Sequence, residues 1–154
     1  MNIAARRIIG CLTTGIIWCA FMKLFFIVSG AQQILADPAR QSTKFLKVFM
    51  EYQPLPRMAT DGGIVWEGFF ICGFLTTCVF LIVNNALKGS WPKKGIVFGL
   101  MHWALMTPWF EFYLPYNVMN EPLSLVLLEC LLWLLTLVCT GLYMSLVLNF
   151  RRAS

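Results

Sequence analysis

Four apolar runs, each about twenty residues or longer, constrain the fold of this chain more than any motif in it. They cover residues 8–29, 63–84, 95–114 and 122–150. A helix rises 1.5 Å per residue, so about twenty residues cross roughly 30 Å of hydrocarbon. In lipid every backbone N–H and C=O must find its partner within the protein, which for runs of this kind means helices. The expectation is an all-α membrane protein, a single four-transmembrane-helix bundle spanning residues 1–154. Composition agrees: 59% of the residues are hydrophobic and 12% charged, against roughly 25% charged in soluble domains. A soluble bundle of 154 residues has too much surface for its volume to hide that much apolar area.

The first run follows Arg6 and Arg7, and Val28-Ser29-Gly30 before Ala31 loosely resembles a signal-peptidase site. Its apolar stretch of about 22 residues exceeds the 7–15 of a signal core, so a retained helix is expected. Asp61-Gly62-Gly63 is a turn signal before the second run. Pro108 interrupts the third and should kink it. Pro122 suits the first turn of the fourth.

Orientation follows from the connections. With four spans, the termini and the middle loop share one face, which carries Arg6, Arg7, Lys88, Lys93, Lys94, Arg151 and Arg152. The other face has Arg40, Lys44, Lys47 and Arg57, diluted by Asp37, Glu51, Asp61 and Glu121. Positive charge is retained in the cytoplasm, so both termini are expected inside, in the cytoplasmic (inner) membrane of a cell. The long first loop then lies outside. Within it Phe45, Val48, Phe49 and Tyr52 recur at helical spacing, which predicts a short amphipathic interfacial helix over about 42–52, on the bilayer surface or over the bundle mouth.

The net charge of +5 falls in short clusters between apolar runs rather than in a basic stripe interleaved with aromatics, so no nucleic-acid partner is expected. All six cysteines lie in apolar segments and none has CxxC spacing, which reads as small buried hydrophobes. No phosphate loop, dinucleotide fingerprint, zinc-protease helix or nucleophile elbow occurs. No catalytic residue, metal or cofactor is assigned.

Charges inside hydrocarbon are the informative residues, because each costs about 2.5–3.5 kcal/mol on insertion scales. Lys23, Glu67, Glu111 and Glu129 come one from each run, all within roughly 5–10 Å of the outer boundary at 1.5 Å per residue. The expectation is one polar cluster just below the outer surface, holding three carboxylates and one amine. Such a charge surplus calls for protonation or a bound cation. On the fourth helix Glu129, Trp133, Thr136, Thr140 and Tyr143 form a continuous stripe that should face the bundle. Gly15, Cys19 and Lys23 share a face of the first helix, and Gly68, Cys72 and Thr76 one of the second, as packing stripes. His102 lies slightly past the midplane and reads as a packing histidine.

Three functions fit these residues. The first expectation is a non-catalytic accessory or assembly subunit of a membrane complex, with other membrane subunits or further copies of itself as partners besides the lipid bilayer. The alternatives are a proton- or cation-linked transporter using the Glu/Lys cluster, and a membrane enzyme acting on a lipid or quinone at the outer interface. No sequence feature supplies a nucleophile, so the balance leans away from an enzyme.

Overall fold

The computed structural model of the chain describes residues 3–149. Phe150, Arg151 and Arg152 lie outside the described residues, and so does the side chain of Arg6. All regular structure among the described residues is helical. Helix α1 (Ile3–Met22) continues through a π-helical turn, Lys23–Val28. Gly30 ends it in the left-handed region at φ 80°, where a side chain would be strained. Three short helices follow: α2 (Ala31–Leu35), α3 (Thr43–Leu46, extended by a π-helical Lys47–Glu51) and α4 (Arg57–Thr60). The long helices are α5 (Gly62–Val83), α6 (Trp91–Thr107) and α7 (Leu123–Asn149).

Among the described residues three helical segments are long and apolar enough to cross a membrane: Arg7–Val28, Gly62–Val83 and Leu123–Asn149. Helix α6 falls short because it holds α-helical geometry for only 17 residues, about 25 Å at 1.5 Å per residue. At Pro108 the backbone does not merely kink. It widens into an 11-residue π-helix, Pro108–Val118. Proline has no N–H and its ring crowds the carbonyl one turn back, and a wider turn relieves both.

Helix α7 is the common partner, lying along α6 and against α1, while α5 rests mainly on α1. Both contacts use glycine to bring backbones together. A Cβ on Gly73 of α5 would stand 2.9 Å from the Gly15 Cα and 3.0 Å from the Thr14 carbonyl of α1. Gly95 and Gly99 of α6 meet Gly141 of α7 in the same way. Without a hydrophobic drive between helices in lipid, this close van der Waals packing is what holds spans together. The face α5 offers therefore differs in part from the expected one: Thr76 is buried as expected, together with Gly73, Thr77 and Phe80, whereas Gly68 and Cys72 are exposed.

Two aromatic-rich clusters fill the bundle. Trp18, Met22, Trp133 and Leu137 form one, and Phe80, Phe98, Met144 and Leu148 the other. Past the second cluster, Asn84 and Asn149 exchange side-chain hydrogen bonds of 2.9 and 3.1 Å, and Lys94 Nζ donates to the Asn84 carbonyl at 2.9 Å. Because Asn84 is buried, Asn149→Ala strands its amide. The expected cost is about 1–3 kcal/mol, the price of an unsatisfied buried amide, read from unfolding of the purified protein in mixed micelles. A shift under about 0.5 kcal/mol would mean that the pair is hydrated and holds nothing.

Candidate functional site

Helix α7 sets the site. Its stripe faces inward as the spacing requires: Trp133, Thr136 and Thr140 are buried, and Glu129 and Tyr143 are half-buried. The two threonines are nevertheless closed to ligands. Thr136 Oγ1 donates to the Leu132 carbonyl at 2.9 Å and Thr140 Oγ1 to the Thr136 carbonyl at 2.7 Å, the usual way a helix hides a hydroxyl in an apolar interior.

Among the described residues two glutamates act on Glu129, Glu111 first and Glu121 after it. Glu111, carried by the π-helical continuation of α6, comes alongside: its backbone carbonyl meets Cys130, the residue next to Glu129, and the two carboxyls are close enough to act on each other electrostatically. The π-helix is what allows this meeting. In an unbroken α-helix Glu111 would project nearly opposite His102, nine residues away, and the wider turns after Pro108 change that phase. Backbone contacts fix the register: Trp103 Nε1 donates to the Cys130 carbonyl at 3.0 Å, and Cys130 Sγ approaches the Glu111 carbonyl at 3.7 Å.

An aromatic wall stands beside the pair. Trp133 is held edge-on by Trp18, Phe26 and Phe69, with ring centroids 6.4, 5.9 and 6.1 Å away. Its indole faces Glu111, yet Trp133 Nε1 makes no hydrogen bond of normal geometry, and neither does Trp18 Nε1 nor Thr107 Oγ1, all of them buried. Buried polar groups are ordinarily paired. Two indole donors and a hydroxyl are thus left open in the bundle interior, the Trp133 donor on the side of Glu111. His102 sits further along, its ring 5.6 Å from Trp18 and 6.3 Å from Phe98, packed among aromatics as a structural histidine is.

The other two expected members stand apart. Lys23 and Glu67 are exposed on the outside of the helices. Among the described residues the one side-chain ion pair is Arg40 with Asp37, so Lys23 pairs with neither glutamate of the interior. The reason is helical phase. Lys23 follows Met22, which is turned into the core with Trp18, and the next residue of a helix points about 100° away. The site the structure assembles is thus a carboxyl pair, not a four-charge pocket. No group of three His, Cys, Asp or Glu among the described residues is placed to hold a metal ion.

One acidic residue that sequence reading left among the loop charges is buried. Glu121, only 6% exposed, sits in the turn between the π-helix and α7. Its Oε1 accepts from the Ser42 N–H at 3.4 Å and lies 3.2 Å from Ser42 Oγ. Ser42 in turn caps α3, accepting from the Phe45 N–H at 3.0 Å while its hydroxyl donates to the Met119 carbonyl at 2.6 Å. The amphipathic α3, with Phe45 stacked on Phe49 at 4.4 Å, is thereby tied to this end of the bundle. The signal available in advance was local: an Asn-Glu-Pro corner ahead of an apolar helix gives an acid few routes away from the bundle.

No protein-family model, no curated protein and no solved structure matches this chain.

Proposed function

We propose that this is a four-span protein of the cytoplasmic membrane, with both termini inside, that binds and passes protons through the Glu111–Glu129 carboxyl pair. The four-span topology is supported by the course of α6. Together with its π-helical continuation it runs Trp91–Val118 alongside α7, long enough to complete a fourth crossing. The bias of lysine and arginine between the two faces supports the orientation, and the exposed Tyr52, Tyr113 and Tyr116 fit an outer aromatic belt.

The observation that carries the functional reading is the meeting of two carboxyls inside a membrane bundle, with no cation paired to them among the described residues. Two ionised carboxylates in contact in an apolar interior repel each other and lose their hydration. One shared proton removes both costs, and a proton held in that way is one that can be exchanged. The test is proton uptake into liposomes loaded with a pH-sensitive dye. The reconstituted protein dissipates an imposed pH gradient, and Glu129→Gln stops it. Undiminished uptake by Glu129→Gln removes the proposal.

A second reading, an accessory subunit or self-associating protein, is favoured by Lys23 and Glu67. Both are exposed on helices of membrane-spanning length, where a partner helix would neutralise them. Native mass analysis of gently extracted protein decides: a lone monomer counts against it.

A further inference from the structure

In lipid an exposed apolar face needs no explanation, because hydrocarbon covers it as well as protein does. An exposed charge does need one. Lys23 and Glu67 are such charges, both on helices of membrane-spanning length and both turned out of the bundle. They also stand at one level. The Cys19 thiol of α1 reaches the Trp66 carbonyl of α5 at 3.6 Å. Lys23 lies one helical turn beyond Cys19, and Glu67 directly follows Trp66. The two charges therefore flank the same end of the α1–α5 seam, one positive and one negative. Among the described residues Arg40 with Asp37 is the one side-chain ion pair, so Lys23 and Glu67 are not paired within the chain. A surface carrying both signs side by side complements a copy of itself. Two copies inserted in the same orientation are related by a two-fold axis along the membrane normal, which keeps every residue at its own depth. Charges of opposite sign at one depth can then meet twice, Lys23 of each copy against Glu67 of the other. A different partner would have to bring two charges of its own in the reverse order.

We propose that the protein forms a two-fold homodimer through the lipid-facing side of the α1–α5 seam, with Lys23 of each copy paired to Glu67 of the other. This rests on the self-associating reading given above and is independent of the carboxyl pair. Reversing the charges tests it. Lys23→Glu and Glu67→Lys each set like charge against like across the interface. Either variant alone loses dimer by about tenfold or more in native mass analysis of gently extracted protein, as like charges set across an interface do. Co-expressed under two different tags, the two variants associate with each other at the level of the unmodified protein, because every charge then finds its opposite in the other chain. A pairing of Lys23 with Glu67 inside one chain predicts the reverse, since each variant repels itself and mixing repairs nothing. A dimer that survives either single variant overturns the proposal, and so does a mixture that stays monomeric. If the charge-reversed chains are not recovered, a chain carrying both Lys23→Met and Glu67→Leu decides. It is monomeric if these charges hold the copies together, and a dimer from it overturns the proposal. An unmodified protein recovered as a lone monomer defeats the wider reading as well. Recovered with a different membrane subunit instead, it keeps the accessory reading and overturns the homodimer alone.

Discussion

Gly141→Ala is expected to destabilise the protein by about 2–3 kcal/mol, the upper part of the range for overpacking an interior. The added methyl would meet the Gly95 carbonyl oxygen well inside contact distance, with Gly99 N at 3.1 Å and the Gly95 carbonyl carbon at 3.3 Å. These are backbone atoms of a facing helix, so no side chain can swing aside. The crowding is mutual: a Cβ on Gly95 would stand 2.7 Å from the Gly141 carbonyl, and one on Gly99 2.7 Å from the Leu137 carbonyl. Helices α6 and α7 can only separate. Against this, alanine gains roughly 1 kcal/mol of helix propensity over glycine, a gain already set within the figure given. Gly68→Ala is the control, since nothing lies within 4 Å of a Cβ there, and it should be neutral or slightly stabilising. Reversible unfolding in mixed detergent micelles reads both. Equal stability of the two variants would mean that α6 and α7 do not touch through these glycines. The same separation carries Glu111 away from Glu129, so Gly141→Ala should also impair proton uptake.

How much of this was legible follows from which residues carry phase information. The apolar runs were plain, because twenty apolar residues are a length signal and need no partner to be read. The inward stripe on α7 was plain too, because Thr136, Thr140 and Trp133 break an otherwise uniform helix at helical spacing. Helix α5 offered no such break. It is apolar nearly all round, so its buried face was open to misplacement by one residue: of Gly68, Cys72 and Thr76 only Thr76 is buried, beside Gly73 and Thr77. Gly95-Ile96-Val97-Phe98-Gly99 was a readable small-residue motif that passed unused. Counting depth set Glu111 at the level of Glu129, but the face that Glu111 presents was beyond sequence arithmetic. Counting at 3.6 residues per turn fails past Pro108, where the helix changes its pitch. Glu121 was hidden for a different reason: its burial depends on Ser42, 79 positions away in the chain.

Glu129→Gln and Glu111→Gln should each reduce proton uptake by about 10²-fold or more, the scale on which a positioned acid–base group acts. The two carboxyls hold one proton between them, so they act as a unit, and removing the second should cost little once the first is gone. The double variant is accordingly expected near the level of the worse single one, a coupling energy large enough to measure by a double-mutant cycle. Independent acids would behave otherwise, their losses multiplying. The amide is the right replacement, because glutamine nearly matches glutamate in size and can still bond across to the remaining carboxyl, so helix packing survives while the exchangeable proton does not. Trp133→Phe separates chemistry from packing in the same experiment. It keeps an aromatic ring among Trp18, Phe26 and Phe69 and deletes the indole N–H, leaving a small cavity whose cost a stability measurement of the same variant reads separately. Loss of the donor on the Glu111 side makes this variant slower yet still active, a graded loss beside the near-complete one of the glutamines. Multiplicative losses in the Glu111→Gln, Glu129→Gln pair would separate the two acids into unrelated sites, and a shared proton would no longer explain why they lie together.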